Sequence, residues 1–446
     1  MLAEPTVESP RMTEASHKMT FFRQSGWMMI ATVVSGVFMC AVHVCSKKLS
    51  NEEYSAFATL IQVVNWMTIP ALGLQMVFAQ QTSAAISDAR RRQLVGTTRA
   101  VLRATFCIWL AMAAVAVLNR NQLLAAFKLS SFTSLWLTVG VGLTMLWLPI
   151  FQGLLQGRQN FLWLGWVAIF NGAGRLFIGG VIVFLLRGHA AGLMAGVLLG
   201  LIAAVGTAMW QSRDLLSEPG APFDWRPWLR LVIPLTVGAG SFQFIFSADA
   251  IVVQNFLGAN GAAAAYDFGG TMARAIIAFT GPLAAVMFPK LVESAARSHK
   301  HTYNLMGLTL LGTTVLGGMA ALGLSVVFPL LIRLFSKHEY VSILPLMPLF
   351  SWVMVPLAMG NVLLNNLLAH SRFKVVPAVA LVAAGYWVAL QYYHDSFKAV
   401  LETFGVFSML FLAVCAAFTW VPGSRSTESA QPHAPDQASP EPPPAG

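Results

Sequence analysis

Twelve apolar stretches, most of them long enough to cross a bilayer as a helix, follow one another along this chain with only short polar connectors between them. They run over 25–46, 56–80, 102–118, 132–155, 164–186, 190–211, 230–256, 265–289, 304–333, 345–369, 375–393 and 399–420. A helix needs about 20 such residues to span the hydrocarbon layer, because each residue advances it by about 1.5 Å. Inside lipid a segment must also satisfy its own backbone donors and acceptors, and a helix does so. The third and eleventh runs are short, and the ninth is long enough to tilt.

Composition agrees: 57% of the 446 residues are hydrophobic and only 10% are charged, too few to cover a water-soluble surface of this size. The net charge of +10 does not point to nucleic acid, because the basic residues sit in connectors between apolar runs and form no polar face. Their distribution gives an orientation instead. With the N-terminus in the cytoplasm, cytoplasmic segments hold 18 Lys and Arg against 8 outside, and Arg90, Arg91, Arg92 and Arg99 contribute most. Both termini are therefore expected on the cytoplasmic side of the cell inner membrane.

The first twenty residues are polar and lack the pattern of a cleaved signal, so 1–24 reads as a cytoplasmic segment. Residues 421–446, rich in Pro, Ser and Ala, read as a disordered cytoplasmic tail. The connector 212–229 is loop-like and separates two sets of six spans, 25–211 and 230–420. The two sets share register. Tyr54 and Pro70 recur as Tyr266 and Pro282 at an offset of 212, and Arg158 recurs as Arg372 at 214. Repeats of even span number are parallel, and transporters are often built from two such equivalent bundles around a shared cavity.

Charges inside the spans carry the functional signal. Arg175 lies near the middle of the fifth span, Asp249 in the seventh and Arg274 in the eighth. A charge at that depth is unfavourable by several kcal/mol, so it faces a partner or a polar cavity. Asp249 and Arg274 share a depth and allow two readings: an ion pair holding two helices together, or a cavity meeting a charged substrate or coupling ion. Arg175 has no carboxylate at its depth in the same half. Its planar fork of donors suits an anion such as a phosphate. Asn171 and Gln243 add amides near these charges, although in-span amides such as Gln62, Asn65 and Asn365 also bridge helices. Pro70, Pro149, Pro234, Pro282, Pro329 and Pro356 mark places where spans bend.

The sequence contains no GxxxxGK[ST], HExxH or GxSxG. Its four cysteines, all in apolar runs, show no metal-ligand spacing and read as buried free thiols. No catalytic residue, metal or cofactor is expected.

The segment FSADAIVVQNFLGANGAAAAYDFGGTMARAIIAFTGPLAAVMFPKL, Phe246 to Leu291, resembles the polysaccharide-biosynthesis flippases of the multidrug/oligosaccharidyl-lipid/polysaccharide exporter superfamily. The matching elements are Asp249, Leu257–Gly258, Tyr266 and Pro289–Lys290, and LSNEEYSAFATL (Leu49 to Leu60) is similar to the start of that family's second span. Glu53 and Ala265 stand where the family has a Gly before the Tyr. The resemblance implies an all-α membrane protein of two pseudo-symmetric six-helix bundles, as in the MATE members of the superfamily. It implies a secondary transporter that moves a lipid-linked oligosaccharide or polysaccharide precursor, without catalysis. Arg175, Arg274, Asn171 and Gln243 would meet the substrate and Asp249 a coupling cation or proton. Membrane lipid, a glycan polymerase and glycosyltransferases would be its partners. A cation-coupled multidrug exporter of the same superfamily, or a non-transporting assembly subunit, are the alternatives.

Overall fold

The computed structural model describes residues 14–45, 49, 53, 57, 60–61, 63–64, 67–126, 131–186, 188–257, 262–297, 302–335 and 344–420. The expectations for the N-terminal 1–13, the tail 421–446, Tyr54, Gln62 and Asn65 lie outside the described residues. Among those described, every regular element is a helix. They are α1 (Glu14–Cys45), α2 (Thr68–Ala84), α3 (Asp88–Leu118), α4 (Arg120–Ala126), α5 (Phe132–Gly157), α6 (Phe161–Leu186), α7 (His189–Gln211) and α8 (Arg213–Ser217). After these come α9 (Trp225–Phe256), α10 (Ala262–Arg297), α11 (Thr302–Phe335), α12 (Met347–Ala369), α13 (Val375–Tyr392) and α14 (Phe397–Trp420). Ten helices among the described residues are long and apolar enough to cross a membrane, and the chain is a multi-pass membrane protein.

Each expected span finds a helix, the second through its C-terminal part, but several helices outrun the apolar stretch. The third, expected as 102–118, is the end of the 31-residue α3. Charge ends an apolar run without ending a helix. Ser87 caps α3 by accepting from the Arg90 backbone N–H, Asp88 occupies the first turn, and the arginines continue the helix. The helix α10 likewise runs 36 residues through both Pro282 and Pro289.

In the first half α5 packs on α2 and α7, and α6 on α1 and α7. In the second, α12 packs on α10, α11 and α14, and α13 on α9 and α14. The sets meet where α2 lies on α9 and α10, and α1 on α10. The contact of α6 with α7 brings backbones together through glycines, as close membrane-helix pairs require. A Cβ on Gly174 would come 2.1 Å from the Gly200 Cα, and one on Gly196 would come 2.4 Å from the Gly179 amide nitrogen.

One turn recurs at the offset of 212. After α5, Gln159 adopts φ 57°, its N–H bonding Gln156 O at 3.0 Å and the Asn160 N–H bonding Leu155 O at 2.9 Å. After α12, Ser371 adopts φ 54°, its N–H bonding Leu368 O at 3.0 Å and the Arg372 N–H bonding Leu367 O at 2.9 Å. These are the left-handed caps that close many helices. The equivalence corrects the sequence register here: Arg372 matches Asn160, and Arg158 matches His370.

The connector 212–229 is not loop throughout, since it contains α8. It is also fastened to the first half. Arg91 pairs with Glu218, Arg99 donates to the carbonyls of Leu216 and Glu218, and Arg158 meets Asp214 at 3.0 Å. Partial burial raises the pKa of the Asp214 carboxyl. The hydrogen bond and charge of Arg158 outweigh that and hold it below the usual carboxylate value. Of the cysteines, Cys415 is buried as expected while Cys107 is exposed on α3, and the side chains of Cys40 and Cys45 lie outside those described.

Candidate functional site

The in-span charges fall at two separate places. In the second half Asp249 of α9 and Arg274 of α10 are in contact. Arg274 Nη2 donates to Asp249 Oδ1 and Oδ2, each at 2.7 Å, and its Nε donates to the carbonyl of Phe246 at 3.1 Å. The Tyr266 hydroxyl donates to Asp249 Oδ2 at 2.8 Å. The Asp249 side chain is wholly buried and that of Arg274 is 16% exposed, so the pair is sealed on its acidic side. The guanidinium carbon lies 5.9 Å from the ring centroids of both Phe246 and Phe350. Gly270, one turn earlier, makes the room: a Cβ there would come 2.7 Å from Arg274 Nη1. Tyr266 is held between the rings of Phe350 and Phe397, which fixes its hydroxyl against the carboxylate.

In the first half Arg175 occupies the second position of a five-residue π-helical segment, Gly174–Ile178, within α6. Such a bulge inserts one extra residue into the turn and re-aims the side chains around it, and it is frequent at functional sites. The segment lies against α1 and α7. Among the described residues Arg175 has no hydrogen bond or ion pair, and its Nε is buried without a partner. Asn171, four residues earlier and so on the same helix face, has its Oδ1 buried without a partner as well. Neither residue is bonded to the Asp249 cluster. Gln243 stands six residues before Asp249 in α9, about 9 Å along the axis. It is half-buried, and its backbone carbonyl accepts from Ser247 Oγ at 2.8 Å.

Two features escaped the sequence reading. Tyr266 entered only through the internal repeat and the resemblance, and nothing in its spacing from Asp249 marks it as a donor to that carboxylate. The other is a set of glutamine amides in which Gln156 and Gln80 bond across the two halves, while the bond between Gln75 and Gln156 lies within the first. Gln75 Nε2 donates to Gln156 Oε1 at 3.0 Å, and Gln156 Nε2 donates to the carbonyl of Ala285 at 2.9 Å. Gln80 Nε2 donates to Ser371 Oγ at 3.0 Å. The signal was present, since Gln75 and Gln80 are amides inside an apolar run, but amides in spans are common.

The architecture is thus that of an all-helical membrane protein with two related sets of helices that the amides of Gln80 and Gln156 bond to one another. Of its two in-span arginines Arg274 is paired and Arg175 has no hydrogen bond or ion pair among the described residues. Solved MATE transporters share the fold. A structure of the Vibrio cholerae MATE transporter VcmN aligns with a TM-score of 0.76 at 13% identity, covering 91% of this chain and 97% of that one. A MATE mutant aligns at 0.73 and 12% identity over 90% and 95% of the two chains. An outward-facing multidrug resistance MATE family transporter of the MOP superfamily aligns at 0.70 and 12% over 90% and 94%. No family model matches the sequence, and no curated protein is similar to it. The fold is MATE-like.

Proposed function

We propose that the protein is a secondary transporter that works by alternating access and carries a lipid-linked oligosaccharide or related polysaccharide precursor across the cytoplasmic membrane. The observation that carries the choice of substrate is the buried Nε of Arg175, a donor with no partner among the described residues. A bare cation at membrane depth favours an anion, and a diphosphate offers several acceptors for its donors. Arg274 and Gln243 belong to the same reading as secondary contacts, because the charge of Arg274 is already met by Asp249. Asp249 is the coupling acid in this scheme. A proton on its carboxylate would weaken the hold of Arg274 and loosen α9 from α10. The lysine and arginine bias supports cytoplasmic termini, so transport would run from the cytoplasmic to the outer face.

The fold it shares with a multidrug resistance transporter favours a second reading, a cation-coupled exporter of cationic drugs. That reading needs an acid free to meet the cargo, and Asp249 is committed to Arg274 and Tyr266. The two part in proteoliposomes. A labelled undecaprenyl-diphosphate oligosaccharide should become accessible on the opposite leaflet in a protein-dependent manner, and a cationic dye should not be moved by an imposed ion gradient. Dye transport without movement of the lipid-linked glycan would replace the first reading by the second.

A further inference from the structure

The C-terminal half of α3 is only partly buried against α5, which it reaches through Trp109. All its buried residues fall between Leu94 and Thr105, and from Phe106 onward none is buried. Between this half-helix, Leu60, Val63 and Met67, and the first half of α5 lies a cavity of about 330 Å³ that also reaches Leu123 of α4. Native interiors hold few voids larger than a water molecule. An apolar cavity of about 150 Å³ already accommodates benzene.

The walls decide what such a space can hold. Among the described lining residues the polar side-chain groups, apart from thioether sulfurs, belong to Thr138 and Trp109. Thr138 Oγ1 donates to the carbonyl of Ser134 at 2.8 Å, and Trp109 Nε1 to that of Val139 at 2.8 Å. Both donors are spent inside the protein. A buried water needs two to four polar partners, and this cavity offers it almost none. Described walls of this kind suit hydrocarbon, and the surrounding solvent of an exposed membrane helix is lipid. Arg120, at the start of α4, is exposed and its guanidinium lies 5.8 Å from the ring centroid of Phe132. Leu123, which lines the cavity, follows Arg120 by three residues and so shares its helix face. An apolar slot with a cation one helical turn from its wall suits an anionic phospholipid.

We propose that this cavity is a binding site for one acyl chain of an anionic phospholipid, with the headgroup phosphate at Arg120. None of Arg175, Asp249 and Arg274 lines it, so the assignment is independent of the transport reading. The test is native mass spectrometry of the full-length protein in a delipidating detergent, titrated with phosphatidylglycerol, chain-matched phosphatidylcholine or undecaprenyl phosphate. One phosphatidylglycerol should be retained per chain. Arg120→Ala should lower its affinity by about fivefold, the equivalent of one basic residue near anionic lipid. Ala113→Phe, which fills the slot from α3, should lower it by about tenfold or more. Gly142→Leu fills it from α5, where an added Cβ meets only ordinary contacts, the nearest being Trp109 Cδ1 at 3.7 Å. Filling a void adds contacts, so at least one of these two variants should melt no lower than the unsubstituted protein without lipid. Retention unchanged in that variant overturns the site. Preferential retention of undecaprenyl phosphate that Ala113→Phe or Gly142→Leu abolishes and Arg175→Ala does not overturns the phospholipid assignment and gives the slot to a polyprenyl chain.

Discussion

Gln156 supplies Ala285 with the hydrogen bond that Pro289 takes away. In a helix the carbonyl of Ala285 would accept from the N–H of residue 289, and proline has none. The Gln156 side chain reaches from α5 to α10 and donates to that carbonyl at 2.9 Å. A helix imperfection in one half is thereby repaired by the other half. If the halves separate at this end during transport, the repair is lost in one state and present in the other. Gln156→Ala should then favour the open state by about 1 kcal/mol, the net value of one such bond. A cysteine replacing the buried Ser83 would report it through several-fold faster maleimide labelling. Adding Pro289→Ala restores the helix's own donor and should cancel most of the stability loss caused by Gln156→Ala. Additive effects of the two substitutions on thermal stability would show that the bond does not couple the halves.

Arg274 and Asp249 give a second prediction. Removing the arginine leaves a carboxylate wholly buried, with Tyr266 as its remaining donor. Breaking one side of a buried pair costs about 3–5 kcal/mol, far more than replacing both partners. Arg274→Ala should lower yield and thermal stability, and Arg274→Ala with Asp249→Asn should recover most of both. A well-folded double variant that still transports at the normal rate would remove both residues from the mechanism.

Spans and their order were legible because burial in lipid writes itself as long apolar runs, and all twelve runs end in helices or parts of helices. Helix ends were less legible. Nothing apolar marks the first turns of α3, where a serine cap and exposed arginines extend the helix by 14 residues. Charges inside spans were conspicuous for the same reason as the spans, and depth alone placed Asp249 beside Arg274. The partners that complete the sites were not visible. Tyr266 and Gln156 look like any other interfacial residue until the helices are docked, since their roles depend on which face meets which neighbour. The register of the repeat needed backbone geometry, because the equivalence of Gln159 and Ser371 lies in their φ angles and not in their side chains.

The basic bias of the connectors makes orientation testable. Single cysteines near Arg91 and Arg297 should react with an impermeant maleimide only in inverted vesicles, and one near Asn260 only in intact cells. Labelling near Asn260 from the cytoplasmic side would reverse the topology and with it the direction of transport.

Arg175 is the residue on which the substrate reading stands. A structural arginine at this depth would spend its five donors on backbone or amide groups. Among the described residues it spends none, and the π segment beneath it alters the helix just where it emerges. If it meets a diphosphate, Arg175→Lys keeps the charge but loses the planar fork, and transport should fall by about tenfold with a modest loss of apparent affinity. Arg175→Ala should abolish movement of the lipid-linked glycan while the protein reaches the membrane in normal amount and melts no lower, because no ion pair is broken. Asn171→Ala should give a smaller loss in the same assay. Normal transport by the alanine variant would assign Arg175 to packing or the headgroup region and leave the anionic substrate without its principal contact.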